Sequence, residues 1–323
     1  MSGPPLNKDY LEVLMTTKKI SASALRHDEA RTCSASAADR LIIARNAGRP
    51  TTREYIREMF DDFFEQAGDR FAGEDSAVLG GVALFHGLPV TVIGHQKGHT
   101  LSEKVEHRFG MPGPEGYRKA IRLMEQAEKF KRPVITFVDT PGAYPGREAE
   151  ERGQGEAIAR CIMTISRLRV PTVAFLTGEG GSGGALAFAA ADRIIMLENS
   201  VFSVLSPEGF SSILWKDSSR WKTACEVMKM TAQDLQELGI CDRVISETDK
   251  GAQGAPEYVF EALRRALVEE LGLSLKTADE QTRSEKHERI FLEADSLLRK
   301  KPEQLVRERY NKLRNIGRIV EKN

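Results

Sequence analysis

Long apolar runs are missing from this 323-residue chain. Blocks such as 134–138 and 194–197 fall far short of the roughly 20 residues that a membrane span requires. An excess of charge of one sign is missing too. Forty-seven Lys and Arg balance 47 Asp and Glu, so no global field draws the chain to nucleic acid or to an anionic membrane. Cysteine is scarce: Cys33, Cys161, Cys225 and Cys241 are widely separated, with no C-x-x-C pair and no histidines at zinc-finger intervals. That spacing supports neither a disulfide framework nor a zinc ribbon, and it predicts reduced thiols, mostly in the core, and no metal site. The first ten residues hold no apolar h-region, so a cytoplasmic location is expected. No Gly-Lys-Ser/Thr follows a glycine loop, which excludes a P-loop. No Gly-x-Ser-x-Gly elbow accompanies His86, His95, His99 and His107, so no hydrolytic triad is visible.

Glycine, in contrast, is concentrated where it matters. The apolar run 170–177 leads into Gly178-Glu-Gly180-Gly181-Ser-Gly183-Gly184 and then an alanine-rich helical stretch. A buried strand thus enters a helix through five glycines, which are expected to supply φ > 0 and close ligand approach. The unpaired N–H groups and dipole of the following helix favour a negative oxygen, either a phosphate or an oxyanion made during reaction. Gly178-x-Gly180-x-x-Gly183 with Glu198 about 20 residues on also satisfies a dinucleotide fingerprint, so an NAD-dependent oxidoreductase is the runner-up. Five glycines exceed what a pyrophosphate turn needs, however, and the fingerprint sits in mid-chain with no second nucleotide-binding half. Ser182, flanked as Gly-Gly-Ser-Gly-Gly, reads as a small turn residue. With no committed side-chain acid or base, the pattern suggests backbone donors that hold an enolate.

Along the chain, 1–50 is Ser/Ala-rich and weakly periodic, and little function is assigned to it. A capping box at Thr51–Glu54 opens a helix with Ile56, Met59, Phe60, Phe63 and Phe64 on one face. Residues 77–93 read as a β-hairpin turning at His86-Gly87. Helices over 117–131, 149–168 and 231–238 then alternate with strands over 133–138, 170–176, 192–197 and 242–246, which predicts a largely parallel buried sheet. Two further loops stand at strand ends, Asp139 to Gly146 and Ser203 to Phe210, the second ahead of a helix reaching Trp215. Both are expected to converge with the glycine turn on one sheet edge. Beyond Pro256, Phe260, Leu263, Ala266, Leu267 and Leu271 share a helix face, and 290–298 resembles an amphipathic helix. Such an arm packs either on a neighbour or on its own domain.

Several ordered blocks are then familiar together: Ile93-Gly-His-Gln-Lys-Gly98, Phe109-Gly-Met-Pro112, Phe137-Val-Asp-Thr-Pro-Gly-Ala-Tyr-Pro-Gly146, Glu150-Glu-Arg-Gly-Gln154, Gly178 to Ala187, and Ser206-Pro-Glu-Gly209 with Ile213-Leu-Trp-Lys216. Across about 50–250 they resemble the carboxyltransferase α-subunit family of bacterial acetyl-CoA carboxylase. The resemblance implies an α/β, crotonase-like spiral of ββα units with N-terminal and C-terminal helical extensions. It divides the chain into 1–50, a carboxyltransferase domain over 51–255, and a C-terminal arm over 256–323. It implies transfer of a carboxyl group from carboxybiotin, carried on a separate biotin carrier protein, to acetyl-CoA. The product is malonyl-CoA, the first committed step of fatty acid synthesis, although another acyl-CoA remains an alternative. Partners implied are a β subunit in an α2β2 assembly, with zinc expected only on β, and biotin carboxylase in the wider complex. By resemblance Gly183 and Gly184 are the backbone oxyanion donors, and Gly180, Gly181, Gly142, Ala143 and Tyr144 lie on the carboxybiotin side. His99 stands where many relatives carry arginine, Arg147 is an extra cation, and the first 50 residues are shorter than usual for the family.

Overall fold

The computed structural model describes residues 35–276, 289–292 and 296–316, and from Ser36 onward they form one compact unit. Cys33 lies outside them. At the centre is an eight-stranded sheet in the order β1 (Asp61–Glu65), β2 (Val78–Phe85), β3 (Leu88–His95), β4 (Val134–Thr140), β5 (Thr172–Gly181), β6 (Arg193–Leu197) and β8 (Arg243–Ile245), with β7 (Val201–Ser203) paired to β5. The hairpin forms as predicted: β2 (Val78–Phe85) pairs antiparallel with β3 (Leu88–His95). His86 (φ 48°) and Gly87 (φ 79°) make the left-handed two-residue turn that such a connection needs. From β3 the pairing becomes parallel, through β4 (Val134–Thr140), β5 (Thr172–Gly181), β6 (Arg193–Leu197) and β8 (Arg243–Ile245).

Side-chain alternation along the parallel strands separates two cores. Ile135, Phe137, Val173 and Phe175 face α2 (Thr52–Met59) and α11 (Pro256–Leu271), which contribute Tyr55, Met59, Phe260, Leu263 and Leu267. Val134, Val138 and Leu176 face the opposite layer, built from α4 (Pro114–Lys129), α6 (Gln154–Arg167) and α7 (Ser182–Ala189). The period-2 apolar strand and the 3.6-period helix face meet at both surfaces. The C-terminal arm therefore packs on its own domain.

Four expectations need correction. The helix predicted from Thr51 stops at Met59: Phe60 turns extended, and 61–65 becomes β1 (Asp61–Glu65), an edge strand pairing Phe64 with Val82. Phe64 is consequently 69% exposed and outside the core. The helix predicted over 149–168 is two, α5 (Arg147–Glu151) and α6, separated by Gly153 in the left-handed region (φ 85°). Ile290 to Leu292 belong to a strand, β10 (Arg289–Leu292), paired with β9 (Leu273–Lys276). Finally, residues within 36–50 are far from idle. They form α1 (Ala37–Ala44), and the arginines of this segment hold the loops described next. No helix among the described residues is long and apolar enough to cross a membrane.

Candidate functional site

β5 is long enough to reach past β6 and pair with β7 (Val201–Ser203), at Glu179 with Val201, Gly180 with Phe202 and Gly181 with Ser203. On its other side Thr140 of β4 sits opposite Gly180. The carboxyl ends of β4, β5 and β7 are thus adjacent, and the three loops predicted to converge do so. The third leads into α8 (Pro207–Trp215), whose N-cap is Ser206, with Ser206 Oγ accepting from Gly209 N at 3.1 Å.

The glycines serve this convergence differently from the expectation of positive φ. None of Gly178, Gly180, Gly181, Gly183 and Gly184 takes a positive φ; the left-handed residue is Ser182, at φ 56°. What requires glycine is closeness of backbones. A Cβ on Gly178 would collide with the Asp139 carboxylate and one on Gly181 with the Pro141 carbonyl. On Gly184 it would lie 2.7 Å from Ala143 N and 2.9 Å from the Tyr117 hydroxyl. On Gly180 it would be 3.1 Å from Phe202 and 3.2 Å from Val201 O. Gly183 differs: its one close neighbour is Ile158 Cγ2 at 3.3 Å, and it is half-buried at the mouth of the turn. Gly184 is interlocked with the neighbouring loop, whereas Gly183 leaves room for a ligand atom to approach the main chain.

That neighbouring loop is itself held. Thr140 Oγ1 donates to Gly142 O at 2.7 Å and accepts from Gly142 N at 3.0 Å, and Gly142 adopts φ 147°. Tyr144 N donates to Pro112 O at 2.9 Å, and Gln154 Nε2 donates to both Pro112 O and Tyr144 O at 2.9 Å. Arg108 lies over the Tyr144 ring at 5.2 Å, while Ala143 and Tyr144 are half-buried. Asp139 Oδ1 accepts from Lys97 Nζ at 2.6 Å and from Glu179 N at 2.9 Å, tying β3, β4 and β5 together below the turn.

α7 begins at Ser182 with Gly181 as N-cap, so no capping side chain occupies its first-turn N–H groups, and that turn carries no acidic residue. Orphan amides and the helix dipole together make an anion the favoured guest. Ser182 is exposed, and among the described residues no base is hydrogen-bonded to its Oγ. Nearby His95 is buried against Phe188 at 4.5 Å, and desolvation pushes its pKa down to about 3, so it stays neutral. What the turn offers is therefore backbone donors, with no side-chain base hydrogen-bonded to Ser182 among the described residues.

Sequence reasoning missed the clamp from α1 and the segment after it. Arg45 holds Glu179 bidentately, Nε to Oε2 at 3.0 Å and Nη2 to Oε1 at 2.7 Å, and donates to Glu208 Oε1 at 2.6 Å. One guanidinium thereby joins the glycine turn to the Ser206 loop. Burial opposes its charge, but the two carboxylates outweigh that and hold its pKa above the ordinary arginine value. Arg49 donates to Thr177 O at 3.0 and 2.6 Å and pairs with Glu247 at 2.7 Å. No local pattern signals this, since each partner is far away in sequence. Glu198, the acid of the dinucleotide fingerprint, is occupied structurally: its Oε2 accepts from Glu247 N at 3.0 Å and its Oε1 lies 3.6 Å from Arg40. Arg147 pairs with Glu151 at the surface. Cys161, Cys225 and Cys241 are buried free thiols, with burial holding the latter two at about 11 and Cys161 higher still. Among the described residues no group of three or more His, Cys, Asp or Glu could hold a metal.

The family model described as acetyl co-enzyme A carboxylase carboxyltransferase-like matches residues 7–294. An acetyl-coenzyme A carboxylase carboxyl transferase subunit alpha from Clostridium acetobutylicum is 54% identical over 87% of this chain and 94% of its own length. A subunits beta/alpha protein from Natranaerobius thermophilus is 47% identical over 95% of this chain, which spans 47% of that protein. Among solved structures, transcarboxylase 12S superposes with a TM-score of 0.55 at 18% identity over 77% of this chain. This chain spans about half of the 12S chain, 46% of it. That likeness establishes a crotonase-like α/β fold.

Proposed function

The chain belongs to the family of acetyl-CoA carboxylase carboxyltransferase α subunits, and from that premise we propose that it forms the carboxybiotin-binding half of a carboxyltransferase completed by a β subunit. The reaction is transfer of the carboxyl group from carboxybiotin on a separate carrier protein to acetyl-CoA, giving malonyl-CoA for fatty acid synthesis. The observation that carries this reading is the open main chain at Gly183, facing out from a turn in which the neighbouring glycines are packed shut. A ureido oxygen is small and able to accept from backbone N–H groups, and Gly183 is the glycine of the turn whose Cβ position meets only one side chain, Ile158. When bound, carboxybiotin supplies both the carboxyl group and the base, consistent with a site that offers no side-chain base.

In this reading the Gly183 amide, with that of Gly184, polarises the ureido oxygen, worth on the order of 10²–10³ in rate per donor at comparable sites. Gly180, Gly181, Gly142 and Ala143 keep the two loops in contact behind it, and Tyr144 walls the carboxybiotin side. Residues 51–255 carry the site, and the segment 36–50 braces it through Arg45 and Arg49. Exposed Leu186, Val204, Leu205, Ile213 and Leu214 lie on the elements around the turn and form an apolar rim suited to the β partner. The Natranaerobius beta/alpha protein supports the same pairing, since both subunits occur there in one chain. Zinc, if present in the assembly, belongs to β, and biotin carboxylase regenerates the carboxylated carrier.

The test is malonyl-CoA formation with biotinylated carrier or free biotin, measured for the chain alone and after co-purification with a β subunit. Turnover is expected only with β. Robust turnover by the single chain, or an equal rate on a longer acyl-CoA, would replace the assignment by an independent enzyme or by a paralogue of different substrate preference.

A further inference from the structure

A second concave site lies on the far side of α6 from the glycine turn. Ile158, which meets Gly183, is two residues from both Glu156 and Arg160, about 160° around the helix from each by the shorter way at 100° per residue. Glu156 and Arg160 line an open cavity of about 440 Å³ flanked by α4 and by the loop after β1. That size falls within the range of roughly 300–1,000 Å³ in which small-molecule ligands are held.

Its walls are rich in guanidinium. Arg70, Arg118, Arg122 and Arg160 all line it, and their neutralisation is uneven. Arg160 has Glu156 at 3.4 Å. Arg118 has Asp69 and Glu115, each at 3.8 Å, and its buried Nη1 makes no hydrogen bond. Among the described residues Arg70 and Arg122 have no carboxylate partner in an ion pair; Arg70 donates to Ala67 O, and Arg122 donates to Gly68 O, Gln66 O, Ala67 O and the Gln66 side-chain Oε1. Burial, and then the charge of Arg70 beside it, disfavours the Arg122 cation, with Glu74 and Asp69 offsetting part of that; the four arginines outnumber the carboxylates of Asp69, Glu125 and Glu156 that line the same space. Glu125 is on the exposed rim.

The loop that carries Arg70 is held in place. Asp69 Oδ1 accepts from the amides of Phe71 and Ala72 at 2.8 Å and of Gly73 at 2.9 Å, and Arg70 adopts φ 64°. A non-glycine residue in that region is strain that the surroundings must maintain. The result presents Phe71 with Arg118 stacked over its ring at 5.3 Å and with 84% of the residue exposed. An aromatic face beside a local excess of guanidinium groups is the combination that recognises a base joined to a phosphate.

We propose that this cavity binds a nucleotide, with Arg70 donating to phosphate oxygens, Arg122 adding its charge behind it, and the open face of Phe71 stacking the base. It is independent of the carboxyltransferase reading, since α6 separates the two sites. Free nucleotides and the phosphoadenosine end of coenzyme A share this chemistry.

The test is calorimetric titration of the full chain with ADP, coenzyme A, inorganic phosphate and adenosine. ADP or coenzyme A should bind more tightly than phosphate, and adenosine weakest; whichever of the first two binds tighter identifies the source. Arg70→Gln should weaken ADP and phosphate alike by about tenfold, the loss of one charge-assisted contact. Phe71→Ala should weaken ADP by about fivefold or more and leave phosphate unchanged. Both positions are on an exposed loop outside the core, so the variants are expected to fold. Binding that is equal for ADP and adenosine, that both substitutions leave intact, or that is absent for every probe would overturn the proposal.

Discussion

Gly183 and Ser182 are neighbours with opposite expected sensitivities. Ser182 has the left-handed backbone and the exposed hydroxyl of a strand-to-helix elbow, yet no base is bonded to it among the described residues. Ser182→Ala should therefore lower carboxyl transfer by less than about tenfold, against roughly 10⁴-fold for a true nucleophile. A steady-state assay of that variant in the α–β complex separates the two. Gly184→Val is not an equivalent probe of the oxyanion donor, because its side chain would invade Ala143 and Tyr117 and disrupt the loop pair. His99 supplies a second residue-scale prediction. Its Nδ1 lies 2.9 Å from Ala47 O and its Nε2 2.8 Å from Glu54, and these partners, the Ala47 carbonyl foremost, raise its pKa. A raised folded-state value means its contribution is complete below about 6.5. It is then lost as pH rises through the folded value. Both groups are substantially exposed, so screening keeps this below about 1 kcal/mol. His99→Gln should remove that pH dependence from urea midpoints, and an unchanged slope between pH 6 and 8 would refute the coupling.

At the scale of elements, the pattern of apolar residues revealed the hairpin, the parallel strands and the amphipathic α4, because each has a single period over its full length. It failed where one residue interrupts a continuing pattern. Gly153 splits a helix whose apolar face continues across it, and Phe63-Phe64 extend a helical stripe that the backbone leaves at Phe60. The glycine turn was legible as a strand-to-helix element, but the reason for its glycines was not, since contact with the Asp139–Ala143 loop involves residues about 40 positions away. Arg45 and Arg309 were invisible for the same reason. Arg309, on α12 (Pro302–Asn315), is buried and donates to Asp192 Oδ1 at 2.9 Å and Oδ2 at 2.7 Å, and to the carbonyls of Ile165, Leu168 and Val170. All five guanidinium N–H groups are thereby matched. Removing it strands the Asp192 charge, so Arg309→Ala should cost about 3–5 kcal/mol in chemical denaturation. Arg309→Lys should recover little, because an ammonium cannot reproduce the fork. A loss below about 1 kcal/mol would show that α12 is not fastened there.

For the whole molecule, the two cores hold the sheet while its carboxyl edge presents the glycine turn and, among the described residues, no base bonded to Ser182. In the proposed function that edge is one half of a site. Arg45 couples the brace to that edge, and Arg45→Gln should reduce turnover by about tenfold while the fold persists, as expected for losing charge-assisted contacts; an unchanged rate would show that the brace is passive. The most direct measurement compares wild-type and Gly183→Val chains, each assembled with the β subunit, for both complex size and malonyl-CoA formation. The expected result is an unaltered complex with turnover reduced on the order of 10²–10³. Near wild-type turnover by Gly183→Val would contradict the backbone-oxyanion account.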